Sequence, residues 1–198
     1  MSKKIFQKVG TVALVAVMAA PFAANAESTF NTGAASGLST QARVDFQITI
    51  PRFVSLQVGS TAAAIDLITF NVTAAQMDAG GTVTGTGGNL SNGAVTARVR
   101  GNGGSVTLAA STAGALQSGT NTINWTEIAT ATTDPLLNPP ILVNGASVST
   151  TVAAAANGVV NRTATWTYTY ANSVVVPPGT YGGTGVNQGR VTYTASLP

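Results

Sequence analysis

The residues that usually carry chemistry are scarce here, and their absence decides more than their placement. The chain of 198 residues has no histidine and no cysteine, and its lysines are Lys3, Lys4 and Lys8. Without histidine, neither a Ser-His-Asp nor a Cys-His nucleophile can be assembled. Zinc and copper lose their usual ligands for the same reason. With lysine confined to the first eight positions, Schiff-base chemistry and a phosphate-loop lysine have no residue downstream. Six acids remain, Glu27, Asp45, Asp66, Asp78, Glu127 and Asp134. A glycosidase needs two carboxylates facing one bond, and no spacing here pairs them. A calcium loop needs clustered Asp and Asn. Gly85-Thr86-Gly87 lies in a polar stretch rather than between a strand and a helix, so it makes a poor phosphate cradle. The expectation is a protein without catalytic residues, cofactor or metal.

The aromatic residues offer one binding chemistry. Trp125, Trp166, Tyr168 and Tyr181 could stack sugar rings on a flat platform, the mode of a secreted carbohydrate-binding β-sandwich module. A competing role follows from spacing. Ala164, Trp166, Tyr168 and Tyr170 share one face of a strand, and Thr163, Thr165, Thr167 and Thr169 share the other. One face must be buried, and the aromatic face is the better candidate. The threonine rows could order ice, but threonine also favours exposed strand positions.

The elements that would position these residues begin with a leader. Lys3, Lys4 and Lys8 precede an apolar run from Val9 to Ala20, and Ala24-Asn25-Ala26 supplies an A-x-A cleavage site. Residues 1–26 are therefore expected to be a signal peptide, cleaved on export. The absence of cysteine excludes a lipid-anchored lipoprotein, and no later segment approaches the roughly 20 apolar residues of a membrane span. Processing also changes the charge. The pI of 9.6 belongs to the whole chain. After residue 26, Arg43, Arg52, Arg98, Arg100, Arg162 and Arg190 balance the six acids, leaving a formal charge of zero. Nucleic-acid binding through a charged field has no support.

Residues 27–40 are polar and Gly-containing and read as an extended N-terminal arm. A domain over 41–198 follows. Its clearest strand pattern is Val44, Phe46, Ile48 and Ile50 alternating with polar residues. Pro51 interrupts the ladder, and Val54, Leu56 and Val58 keep the same parity. Ile68, Phe70 and Val72 alternate next, then Val95, Ala97 and Val99. Gly101-Asn102-Gly103-Gly104 reads as the turn of a hairpin returning through Val106 and Leu108. Ile123 and Trp125 suggest another strand, and Pro135, Pro139 and Pro140 a loop. Val191, Tyr193, Ala195 and Leu197 alternate along the last strand. No sustained helical periodicity interrupts this pattern. Many short strands separated by Gly and Asn turns predict an all-β sandwich.

Two stretches carry a family resemblance. The run from Val44 through Pro51 to Gly59 resembles the opening of bacterial fimbrial major subunits. The ending, Pro178-Gly179-Thr180-Tyr181-Gly182-Gly183 followed by Gly189-Arg190-Val191-Thr192-Tyr193-Thr194, is similar to their closing strand, with a longer loop. The resemblance covers roughly 35 residues at the start and 25 at the end of the processed chain. It implies an immunoglobulin-like β-sandwich, completed by a neighbour's strand, that builds a pilus-like surface fibre. Strand addition would supply main-chain hydrogen bonds and alternating apolar knobs. The implied donor residues are Val44, Phe46, Ile48 and Ile50, or Phe30, Thr32 and Ala34 if the arm itself inserts. Val191, Tyr193, Ala195 and Leu197 would border the acceptor groove. The implied partners are copies of the chain, an assembly chaperone and outer-membrane assembly machinery, and the implied location is the bacterial cell surface, reached through the periplasm.

Overall fold

The computed structural model describes residues 29–34, 36–61 and 63–198. The expected signal peptide, residues 1–26, lies outside them. Compact units divide between Thr49 and Ile50.

In the first unit, the described residues between 29 and 41 form no strand, and Thr29 comes back against Thr40 and Gln41. The hydroxyls of Thr29 and Thr40 hydrogen-bond to each other, and Thr29 Oγ1 also donates to Gln41 O at 2.6 Å. Thr40 Oγ1 donates to Thr29 O at 2.8 Å. Beyond this loop comes a correction. The alternating segment from Val44 to Ile50 is not a strand of this chain's sheets. Its apolar side chains are exposed: Val44 73%, Phe46 89%, Ile48 85% and Ile50 73%. A strand exists only through a partner's N–H and C=O groups, and this segment has none among the described residues.

The second unit is built from antiparallel sheets with almost no helix. The first strand, β1 (Val54–Val58), starts only after Pro51, where the backbone can donate again. The sequence pattern over 67–72 yields just two strand residues, β2 (Ile68–Thr69). A short helix, α1 (Ala74–Ala79), comes next and was not anticipated. Its signal was local rather than periodic. Thr73 and Gln76 form a reciprocal capping box, in which Gln76 N–H donates to Thr73 Oγ1 and Thr73 N–H to Gln76 Oε1.

Two short strands, β3 (Val83–Thr84) and β4 (Thr86–Gly87), lead to β5 (Ala94–Gly101) and β6 (Val106–Thr112). The turn between β5 and β6 is no hairpin. Strand β5 pairs with β1 on one edge and with the long strand β11 (Val160–Tyr170) on the other. With both edges occupied, the Gly-rich turn can only carry the chain across to a second sheet. There β6 lies between β10 (Thr150–Val152) and β12 (Val191–Ser196). The small hairpin β7 (Leu116–Ser118) to β8 (Asn121–Ile123) precedes a 3-10 turn holding Trp125. Strand β9 (Ile128–Thr132) then pairs with β11.

Both sheets bury their inward residues in one core. Strand β5 contributes Val95, Ala97 and Val99, β6 contributes Val106, Leu108 and Ala110, and β11 contributes Ala164, Trp166, Tyr168 and Tyr170. The aromatic face of β11 is thus the inner one, and Trp166 is fully buried. Its indole N–H donates to Leu137 O at 3.0 Å, which ties the proline-rich loop under the sheet. Burying a ring of this size contributes several kcal/mol only if its one polar atom is paired, as it is here. No helix among the described residues is long and apolar enough to cross a membrane.

Candidate functional site

Strands β1 and β12 are the outer strands of their sheets on one side of the core. Among the described residues, β1 pairs only with β5 and β12 only with β6. Each strand therefore presents one unpaired edge, a row of backbone donors and acceptors that can accept another strand. Where β1 ends and β12 begins, a cavity of about 410 Å³ opens, walled largely by the segments 59–68 and 181–190; it falls within the usual size range of ligand pockets. Its walls carry Val58, Ile68, Val95, Leu142, Val191 and Tyr193, residues of the core or packed against it.

Glycine shapes one rim. Gly59 has a φ of +91°, and a Cβ there would collide with the Asp66 carboxylate. That conformation turns the chain out of β1, while Asp66 Oδ2 accepts from Ser60 N–H at 2.5 Å. Asp66 and Arg190 both line the cavity.

The floor of the groove is polar at one point. Tyr168 from one sheet and Tyr193 from the other meet hydroxyl to hydroxyl at 2.8 Å. Burial pushes the Tyr168 phenol up to about 12, partly offset by the bond from Tyr193. Tyr193 is raised well above 10, first by burial and then by Tyr168 beside it. Both stay neutral at physiological pH and act as a cross-sheet tie. Tyr193 also packs on Trp166, with ring centroids 5.5 Å apart.

The implied acceptor residues divide. Val191 and Tyr193 line the cavity, whereas Ala195 and Leu197 lie half-buried further along β12, outside it. The implied donors Val44, Phe46, Ile48 and Ile50 are exposed, as is Phe30 at 89%. Thr32 and Ala34 are also exposed. The sugar-stacking candidates do not lie on an exposed outer face. Trp125, Trp166 and Tyr168 are buried, and Tyr181 is half-buried with its hydroxyl donating to Pro177 O at 2.7 Å. Trp125, Tyr168 and Tyr181 border the cavity, whereas Trp166 is sealed in the core. The acids serve the backbone: Glu127 accepts from the Ser173 hydroxyl and amide, and Asp134 from Leu136 N–H while facing Arg162 at 3.7 Å. Among the described residues, no group of three or more acids could hold a metal ion.

Comparison of the chain with protein-family models, with curated proteins and with solved structures finds no match. The functional reading therefore rests on the groove, the unpaired segment and the chemistry both allow.

Proposed function

We propose that the protein is a structural subunit of an extracellular fibre, an immunoglobulin-like sandwich that assembles by strand donation. The single observation that carries the reading is a matched pair of defects in one chain. A cavity opens where β1 ends and β12 begins, two strands that each have one edge unpaired among the described residues, and an alternating segment with exposed apolar side chains lies nearby in sequence. A second copy's residues 44–50 would supply N–H and C=O groups to the free edges and apolar side chains to the cavity. Each fully buried Val, Ile or Phe contributes about 1.5–3 kcal/mol, so even two or three seated side chains make a tight joint. The donors are Val44, Phe46, Ile48 and Ile50, and the acceptor wall is Val191 and Tyr193. Export through the periplasm, an assembly chaperone and outer-membrane machinery belong to the same reading, since an open groove needs protection before assembly.

The test removes the donor. Deletion of residues 27–50 from the processed chain is expected to abolish high-mass, SDS-resistant ladders while the sheet-forming unit keeps its β-rich circular dichroism. Ladders that persist unchanged after the deletion would defeat the proposal.

A further inference from the structure

We infer that the groove has a closed end, and that Arg52 and Asn102 form the stop that fixes how far an incoming strand can slide. The inference rests on the strand-donation reading and adds to it what sets the register. At the start of β1 the chain is pinned by a set of hydrogen bonds. Arg52 Nη2 donates to Pro198 O at 2.7 Å and to Gly103 O at 3.2 Å. Asn102 brackets Arg52: its Nδ2 donates to Pro51 O at 2.8 Å, and its Oδ1 accepts from Phe53 N–H at 2.8 Å. The Asn102 N–H reaches Phe53 O at 3.4 Å. The Arg52 side chain thus reaches from two residues before β1 to Pro198, two residues past β12, like a bar across this end of the two strands.

The cavity lies at the other end of the same strands. Its lining takes Val58 and Gly59 from the end of β1 and Arg190, Val191 and Tyr193 from the start of β12. Val54, Ala195 and Leu197, at the barred end, contribute nothing to it. There Leu197 instead lies beside Gly101. The strands are therefore tied at the Arg52 end and border the cavity at the Val58 and Val191 end. A strand cannot pair with the β12 edge where β1 is already tied across to it. Side chains alternate with a period of two, so the open stretch around Val191 and Tyr193 seats about two or three inward residues. The four apolar donors are then not equivalent, and the bar decides which of them enter.

The absence of native cysteine makes the register readable by disulfide capture. Thr192 is exposed on β12, and on a donated strand Asp45, Gln47 and Thr49 point to the same outer side. Subunits carrying Thr192→Cys are mixed with subunits carrying Asp45→Cys, Gln47→Cys or Thr49→Cys, assembled and oxidised. Adjacent strands lie about 5 Å apart, within the roughly 4.4–6.8 Å Cα separation that a disulfide requires. With the bar intact, one donor position is expected to give the dominant cross-link. With Arg52→Ala, the yield is expected to spread to a second position two residues away. Asn102→Asp, which keeps the acceptor for Phe53 N–H, is the milder second variant and is expected to spread it less. The same single cross-link in the unaltered chain and both variants would overturn the stop, as would a spread already present in the unaltered chain. No cross-link at any position in the unaltered chain would instead remove strand donation itself, and the stop with it.

Discussion

Tyr168 and Tyr193 illustrate how a single pair of atoms joins two sheets. Their folded-state pKa values lie above the ordinary value of 10. As pH rises past 10 the unfolded chain releases these protons first, so stability falls with pH wherever the native state holds more protons. The contribution is complete below about pH 10 and is lost progressively toward about 12. Thermal melts from pH 8 to 12 are expected to show this alkaline decline, and Tyr193→Phe is expected to flatten it. A decline that is unchanged in Tyr193→Phe would assign the alkaline loss elsewhere. Trp166, fully buried and bonded to Leu137 O, marks the other extreme of residue-scale cost. Trp166→Ala is expected to destabilise by about 3–5 kcal/mol in urea titrations, or to leave the chain insoluble. Its burial was legible from the alternation with threonine. Its hydrogen bond was not, because Leu137 is 29 residues away on a loop without periodicity.

At the scale of elements, the same alternation has opposite outcomes in two places. Residues 164–170 and residues 44–50 both repeat with a period of two. The first pairs with β5 and β9 and buries its apolar face, while the second pairs with nothing among the described residues. Period describes what a segment could bury, not whether a partner edge exists within the chain. Phe46→Asp and Ile48→Asp place a charge on that unpaired apolar face. Each is expected to cut the polymer yield sharply, measured by gel ladders, while the melting temperature of the isolated subunit stays within the small change typical of exposed sites, about 0.5 kcal/mol. A variant with normal ladders would show that its position stays outside the groove. The turn at 101–104 teaches a related point. Gly-Asn-Gly-Gly chemistry permits a reversal, yet the sheet that receives the next strand depends on which edges of β5 are already filled.

For the whole molecule, the open groove is a standing cost. Core residues such as Val58, Val95 and Tyr193 border space that another strand could fill. Anything that binds the native state and not the unfolded chain raises stability by mass action, by about 2.7 kcal/mol at a hundredfold excess over Kd. A synthetic peptide of residues 41–52 is therefore expected to raise the melting temperature of the chain lacking 27–50, dose-dependently. A peptide with Phe46 and Ile48 replaced by Asp is expected to have no effect. Equal melting with both peptides would count against the groove as a strand site.

The amino-acid sequence by itself determined the all-β class, the inward face of each long strand and the poverty of catalytic groups. Those follow from composition and from a two-residue period, which are local properties of the chain. Only the tertiary structure decided that β5 and β6 belong to different sheets, that the Val44–Ile50 segment joins no sheet among the described residues, and that a cavity opens beside Tyr193. These depend on which backbone edges meet across tens of residues of chain, and on the hydrogen bonds of Arg52 and Asn102 at the start of β1. Spacing along a chain carries no record of that competition for partners.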